Sequence, residues 1–93
     1  MAALPETAAE PGPISYRFTW HSRFYTAVLD RDLFGRWTVK RSWGSSRNGQ
    51  GGGRLTVVES FEAGVVVLGV IARRRENLGY KLKDHIKRHP KVP

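Results

Sequence analysis

Apolar and polar residues alternate along the first half of the chain, which is the pattern of half-buried β-strands. The alternation begins at residues 16–20, and residues 24–29 are rich in aromatic and aliphatic side chains. Residues 36–43 alternate again, and residues 30–35 before them contain two Asp residues and end in Gly. Because Asp and Gly favour tight turns, we predict a hairpin whose two strands are joined by residues 30–35.

Glycine interrupts this pattern near the middle of the chain. Residues 44–53 contain five glycines together with Ser, Asn and Gln, which predicts a long, flexible connection. The backbone N–H groups of such a loop can also surround a phosphate, but the segment lacks the Lys-Ser/Thr ending of a P-loop, so a connector is the favoured interpretation. Residues 55–61 alternate once more and predict a further strand of an antiparallel meander.

Residues 62–78 form the longest segment without a strong turn signal. Five β-branched residues and two glycines lower its helix propensity, but its length exceeds that of an ordinary strand. Ser60 is a favourable N-cap, and Gly79 lies just beyond the other end. We therefore predict a helix. The apolar face expected to cover the sheet comprises Phe61, Val65, Leu68, Ile71 and Ala72.

These elements predict an α+β fold, a small twisted antiparallel sheet of three to four strands with one helix packed on one face. The predicted domain spans residues 16–82 and ends in a short strand or docking segment over residues 79–82. Residues 1–15 are rich in Pro and Ala and lack hydrophobic periodicity, so they predict a disordered leader. Residues 83–93 predict a basic, flexible tail.

The charge balance narrows the classes of partner. The chain has 93 residues, with 16 Lys and Arg against 8 Asp and Glu, and its net charge is +8. Such a protein attracts polyanions, nucleic acid first among them. The absence of Cys excludes a disulfide framework and predicts an intracellular, cytoplasmic protein. The longest apolar run, residues 63–72, has about half the length of a membrane span, so no membrane-spanning segment is expected.

No combination of residues that supports catalysis is complete. His85 and His89 have the spacing of two metal ligands on a helix but lack the Glu and the third ligand of a zinc site. Asp30 and Asp32 resemble a carboxylate pair, yet a hairpin turn uses Asp for its own backbone hydrogen bonds. We therefore predict no enzymatic activity, no metal, no cofactor and no small-molecule substrate.

Cations and indole rings are interleaved between residues 36 and 47. Cations for phosphates and flat rings for a base or sugar are the components of nucleic-acid recognition at ends or single strands. Trp37 and Val39 are two residues apart in the predicted strand, so their side chains lie on the same side of the sheet, and Trp37 is expected in the core. For Trp43, at the end of the strand, a core and an exposed position stay equally open. The predicted nucleic-acid-binding residues are Trp43, Arg36, Lys40, Arg41, Arg47, Lys81 and Lys83.

Short motifs follow one another in a distinctive order over residues 18–82. They are Arg23-Phe24-Tyr25, Asp32-Leu33-Phe34-Gly35 before Trp37, Arg41-x-Trp43-Gly44, Gly49-Gln50 in a glycine-rich loop, Phe61 with Ala63 at a helix start, and Gly79-Tyr80 after the helix. This order resembles the WGR domain, which is named after a Trp-Gly-Arg signature. WGR domains occur in DNA-damage-activated poly(ADP-ribose) polymerases, in a bacterial molybdate-metabolism regulator family, and alone in short bacterial proteins.

The resemblance implies a twisted antiparallel sheet with one packed helix, and binding to DNA. In the polymerases the module contacts a DNA end and neighbouring domains, and the signature Trp packs on the terminal nucleotide. That role falls on Trp43 here. The third signature position is Ser45 instead of Arg, and Arg47 follows two residues later. No polymerase catalytic domain is expected, and no ADP-ribosylating activity.

Two functions remain open from the sequence. The first is a non-enzymatic nucleic-acid-binding module, for DNA ends, nicks or backbone, with weak sequence specificity. The second is a protein-interaction module that docks on a partner polypeptide, which the absence of the signature Arg favours and which net charge does not exclude. Adsorption of the basic tail to anionic lipid is the least favoured, because Leu82 and Ile86 are the only apolar residues available to anchor it.

Overall fold

The computed structural model describes residues 12–87 and places them in one open antiparallel sheet with one helix. The strands are β1 (Ile14–Trp20), β2 (Arg23–Arg31), β3 (Trp37–Ser45), β4 (Gly51–Val58) and β5 (Lys81–Lys87), and the helix α1 spans Phe61–Asn77. The strand order across the sheet is β4-β3-β2-β1-β5. The α+β class and the single packed helix are confirmed, whereas the sheet has five strands instead of three to four.

Both ends of the folded part extend further than the sequence predicts. β1 begins at Ile14, so the last two residues of the predicted leader already belong to the sheet. β5 pairs with β1 as far as Lys87, and the predicted start of the flexible tail at residue 83 is therefore wrong. The reason is that backbone pairing supplies the hydrogen bonds of an edge strand without requiring an apolar pattern. The remainder of the predicted leader and tail, residues 1–11 and 88–93, lies outside the described residues.

Half of the glycine-rich segment is strand. Its first two residues end β3 and its last three begin β4, which leaves residues 46–50 as the connection. The predicted long, flexible connection over 44–53 is therefore wrong. Antiparallel pairing of β3 with β4 continues through the pair Trp43 and Gly52. Because Gly52 has no side chain, it leaves room for the indole of Trp43. A Cβ on Gly52 would lie 3.2 Å from three atoms of that ring.

The helix begins and ends where its capping residues predict. The Ser60 side chain accepts a hydrogen bond from the N–H of Ala63 at 3.0 Å. Gly79, just beyond the C-terminal end, has a φ of 103°. Near its start the helix packs on β3, where Phe61 meets the partly buried ring of Trp37 edge to face at 5.2 Å. These contacts fix how far along the sheet the helix lies.

The core lies between α1 and one side of the sheet. α1 approaches the sheet closely at Gly64, where a Cβ would collide with the side chain of Leu29. Further along the helix, Leu68 and Ile71 are buried on the same line. Val65 was expected on the buried face of the helix, but it is 41% exposed, because the side of the helix that contacts the sheet carries Gly64 in place of Val65. The fully buried large side chains are Phe18, Leu29 and Val39.

Candidate functional site

The candidate site is built around Trp43 near the end of β3. Strand alternation places its side chain on the side of the sheet that carries the helix, between Tyr25 on β2 and Gly52 on β4. The indole lies nearly parallel to the Tyr25 ring, with 5.9 Å between centroids and 12° between planes. The Trp43 side chain remains 39% exposed. Of the two positions that the sequence left open, the structure therefore shows a supported ring with an accessible surface.

Three arginines surround this ring. Arg41 precedes Trp43 by two residues on β3, and Arg54 stands opposite Arg41 on β4. Arg75 comes from the last turn of α1, whose C-terminal end lies over this part of the sheet. The three side chains line a cavity of about 280 Å³ together with Tyr25, Trp43 and Tyr80.

The guanidinium of Arg75 lies against two aromatic rings. Its central carbon is 4.3 Å from the centroid of Tyr25 and 5.5 Å from that of Tyr80, which is within cation–π range. The Nε atoms of Arg75 and Arg41 are both buried, and neither has a hydrogen-bond partner among residues 12–87. Planar guanidinium groups held in this way match the geometry of phosphate oxygens.

A larger cavity of about 850 Å³ adjoins the first one and is also lined by Trp43 and Tyr80. Arg23 at the start of β2 and Arg47 in the β3–β4 connection supply its cations. Of the residues that the structure describes, five arginines and no Asp or Glu line the two cavities. A surface with cations and no carboxylates attracts an anion without first having to break internal ion pairs.

Four backbone N–H groups of the β3–β4 connection are already hydrogen-bonded within the protein. The Arg47 N–H donates to the Ser45 Oγ at 3.1 Å, so the residue in the third signature position serves the loop's own structure. Three further N–H groups of the loop, those of Ser46, Gly49 and Gln50, also donate to protein oxygens. The favoured interpretation of this segment as a connector agrees with these bonds, and the charge of the site comes from side chains.

The structure brings together only part of the predicted binding set. Trp43, Arg41 and Arg47 line the two cavities. Lys40 is next to Arg41 in β3, and alternation therefore directs it to the side of the sheet without the helix. Arg36 precedes β3, about 20 Å of strand away from Trp43, and its Nε binds the Asp32 carboxylate at 2.8 Å. These two cations do not belong to the surface around Trp43.

The two predicted lysines of β5 are also separate from the cavities. Lys81 pairs with Thr19 of β1, and the same row of paired residues continues across β2 to Gly44 of β3, the residue after Trp43. Lys81 is therefore three strand spacings, or about 14 Å, away from Gly44. Lys83 falls where the register between β1 and β5 shifts. Both side chains are exposed. They add to the positive field at that edge without contacting Trp43.

Sequence reasoning missed more than half of the charged and aromatic residues that line the two cavities. Arg54 becomes a neighbour of Arg41 only through the register between β3 and β4. Arg75 had a local explanation, because cations are favourable at the C-terminal end of a helix. Tyr25 alternates in β2 with the same spacing as the core residues Ala27 and Leu29, so its side chain lies on the buried side of the sheet. This spacing was the one feature of the sequence that could have indicated that Tyr25 supports a ring on the next strand. The larger cavity also contains an arginine and a tyrosine that the sequence analysis missed, Arg23 and Tyr80.

Comparison of the chain with protein-family models, with curated proteins and with solved structures gives no match. Within residues 12–87, no helix is long and apolar enough to cross a membrane. The same part of the chain contains no group of three or more metal-ligating side chains placed to hold an ion.

Proposed function

We propose that this chain is a non-enzymatic, WGR-like module that binds DNA inside the cell at ends or nicks, with weak sequence specificity. The observation that carries the proposal is the position of Trp43, whose ring is 39% exposed and is stacked beside Tyr25. Among residues 12–87, five arginines and no carboxylates line the cavities on either side of this ring. The motif order that resembles the WGR domain supports the same function and assigns the contact with the terminal nucleotide to Trp43.

The arrangement separates two tasks. The arginines neutralise phosphates, which releases counterions from DNA and supplies affinity that does not depend on sequence. The exposed surface of Trp43 stacks on a base or sugar, and such surfaces are free at a strand end or nick but covered inside an intact duplex. Since neither contact reads the edges of the bases, weak specificity follows.

An amide and indole chemical-shift titration of the full chain tests this proposal. The probe is a short blunt duplex with 5′ phosphates, added at low salt. We expect the Trp43 indole N–H to shift, together with backbone signals of residues 41–54 and the end of α1. Absence of shifts at low salt would refute the proposal. Shifts confined to the hairpin that joins β2 to β3 would also refute it, because that hairpin lies at the other end of the sheet.

A second candidate function, protein docking, is favoured by the tip of the β2–β3 hairpin. Leu33 is fully exposed (100%) and Phe34 is 83% exposed. Asp32 holds this tip in one shape, because its Oδ1 accepts hydrogen bonds from the N–H groups of Phe34 and Arg36 at 2.9 Å. Capture of one stoichiometric partner that survives nuclease treatment and is lost in Leu33→Ser supports this function. Capture that requires nucleic acid argues against it.

A further inference from the structure

We propose that two copies of this chain associate through β4, whose free edges pair in antiparallel fashion and join the two sheets into one. β4 is the terminal strand of the described sheet, and its residues 54–58 can overlap with the same residues of a second copy, which pairs the outward backbone groups of Leu55 and Val57. Such an edge is a template for another strand unless it is blocked. The proposal does not depend on the function of the site at Trp43.

The two edges of the sheet differ in how they are protected. β5 carries Lys81, Lys83 and Asp84, and a register shift interrupts its pairing with β1. Charged residues, Lys above all, and local irregularities are the usual means of preventing edge-to-edge pairing. Within its eight residues β4 has no Lys, Pro, Asp or Glu, and its one cation, Arg54, lines the cavity on the helix side. β4 is therefore the edge that can accept another strand.

The register between β3 and β4 shows which backbone groups of β4 face outward. The Ser45 N–H donates to the Gln50 carbonyl at 2.9 Å, and hydrogen-bonded pairs recur at every second residue of an antiparallel ladder. Gly52, Arg54 and Thr56 therefore bond to β3. The alternate residues, Gly51, Gly53, Leu55 and Val57, direct their N–H and C=O groups away from the sheet.

A second copy is the occupant that fits this edge. When Thr56 of one copy stands opposite Thr56 of the other, Leu55 faces Val57 of the second copy, and the outward N–H and C=O groups of both are paired. These two side chains are 60% and 50% exposed in the single chain, and they cover each other in the pair. The same register places Arg54 opposite Val58, so the two Arg54 side chains do not face each other.

Sedimentation equilibrium of the full chain tests the association. We expect the apparent molecular mass to rise from that of one chain to that of two as the protein concentration increases. In higher salt this transition is expected at a lower protein concentration, because salt screens the repulsion between two chains of net charge +8. Val57→Lys is expected to weaken the dimer roughly tenfold or more. Ile86→Lys, a matched change on the opposite edge, is expected to leave it unchanged. A mass that stays monomeric up to roughly 1 mM would overturn the proposal, as would equal effects of the two variants.

The absence of cysteine from the chain allows a direct test of register. Thr56→Cys places two thiols in a close pair at the two-fold axis, so mild oxidation is expected to give a covalent dimer. Arg54→Cys is the control, because its two thiols are offset by about 13 Å along the strands and a disulfide needs Cα atoms within about 7 Å. A Thr56→Cys variant that does not cross-link at concentrations where the wild type is dimeric would overturn the proposed pairing.

Discussion

The indole of Trp43 lies beside the phenol ring of Tyr25, 5.9 Å from centroid to centroid, with the two planes only 12° apart. Tyr25 is itself buried and belongs to the core, so it fixes the indole on the side of the sheet where the C-terminal end of α1 lies. A ring held in this way loses less conformational entropy on binding than a freely rotating one. The site at Trp43 is therefore preorganised by the same packing that stabilises the fold.

Gly52→Ala tests whether the position of the indole matters. The new Cβ would lie 3.2 Å from three ring atoms of Trp43 and would force the ring to move. We expect Gly52→Ala to weaken binding to a DNA end roughly three- to tenfold, or about 0.6 to 1.4 kcal/mol, which lies within the usual range of coupling between residues in contact. In a Trp43→Ala background the same substitution is expected to have no further effect. Equal losses in both backgrounds would show that Gly52 does not act through the indole.

Arg75→Gln tests the contribution of the arginines. If five phosphates are neutralised, the logarithm of the binding constant falls with the logarithm of salt at a slope of about −4.5, which is roughly 500-fold between 50 and 200 mM. Removing the charge of Arg75 is expected to make this slope shallower by about 0.9. Arg73→Gln removes the same charge from an exposed position two residues earlier, and it is expected to change the slope less. A salt dependence that is flat in the wild type would contradict the electrostatic part of the proposal.

Two helix glycines are expected to respond to alanine with opposite signs. A Cβ on Gly64 would collide with Leu29, whereas nothing lies within 4 Å of the Cβ position of Gly69. We expect Gly64→Ala to lower the free energy of unfolding by about 1 to 3 kcal/mol through overpacking. Gly69→Ala is expected to raise it by about 0.5 to 1 kcal/mol through helix propensity. Urea unfolding of both variants measures the difference, and effects of the same sign would contradict the described contact of α1 with β2.

Elements with local signals could be predicted from the sequence. The bounds of α1 follow from Ser60 and Gly79, whose effects on a helix end are local. The β2–β3 hairpin follows from the Asp residues before Gly35. β5 could not be predicted to its full length, because Lys81–Lys87 alternates poorly and owes its conformation to backbone pairing with β1. The same limit explains why the sequence predicted only a short element there, ending at residue 82.

The candidate site depends on register and on tertiary packing more than on local pattern. Trp43 and Arg41 were predicted because they are close in sequence to other cations and to a glycine. The convergence of Arg54 and Arg75 on the same ring required the pairing of β3 with β4 and the angle of α1 on the sheet. Lys40 shows the opposite error, because adjacency in sequence places neighbours in a strand on opposite sides of the sheet.

Acid is expected to loosen the tip of the β2–β3 hairpin. Desolvation acts to raise the pKa of Asp32, but hydrogen bonds from Arg36 and Phe34 and the charge of Arg36 outweigh it, and the pKa lies below its usual value. The stabilisation is therefore present above the ordinary Asp pKa, about 3.9, and is lost as the pH falls through the lowered value in the folded protein.

Carboxyl NMR titration of Asp32 measures this effect. In Arg36→Gln the side-chain contact and the positive charge are lost while the backbone N–H remains, so the midpoint for Asp32 is expected to rise toward the ordinary value. Arg47→Gln, which removes a charge at the other end of the sheet, serves as the control. An Asp32 midpoint that is the same in all three proteins would show that Arg36 does not lower the pKa.

The most direct test compares Trp43→Ala with Trp20→Ala for binding to open DNA, which is linear or nicked duplex, and to closed circular DNA. Trp20 has nearly the same exposure, 37% against 39%, but lines neither cavity. Loss of one stacking contact costs about 1 to 3 kcal/mol, so we expect Trp43→Ala to lose roughly 5- to 150-fold in affinity for linear or nicked duplex. Binding to closed circular DNA is expected to change little, and Trp20→Ala is expected to retain binding to both. Equal losses on open and closed DNA for Trp43→Ala would contradict the proposed contact with a strand end.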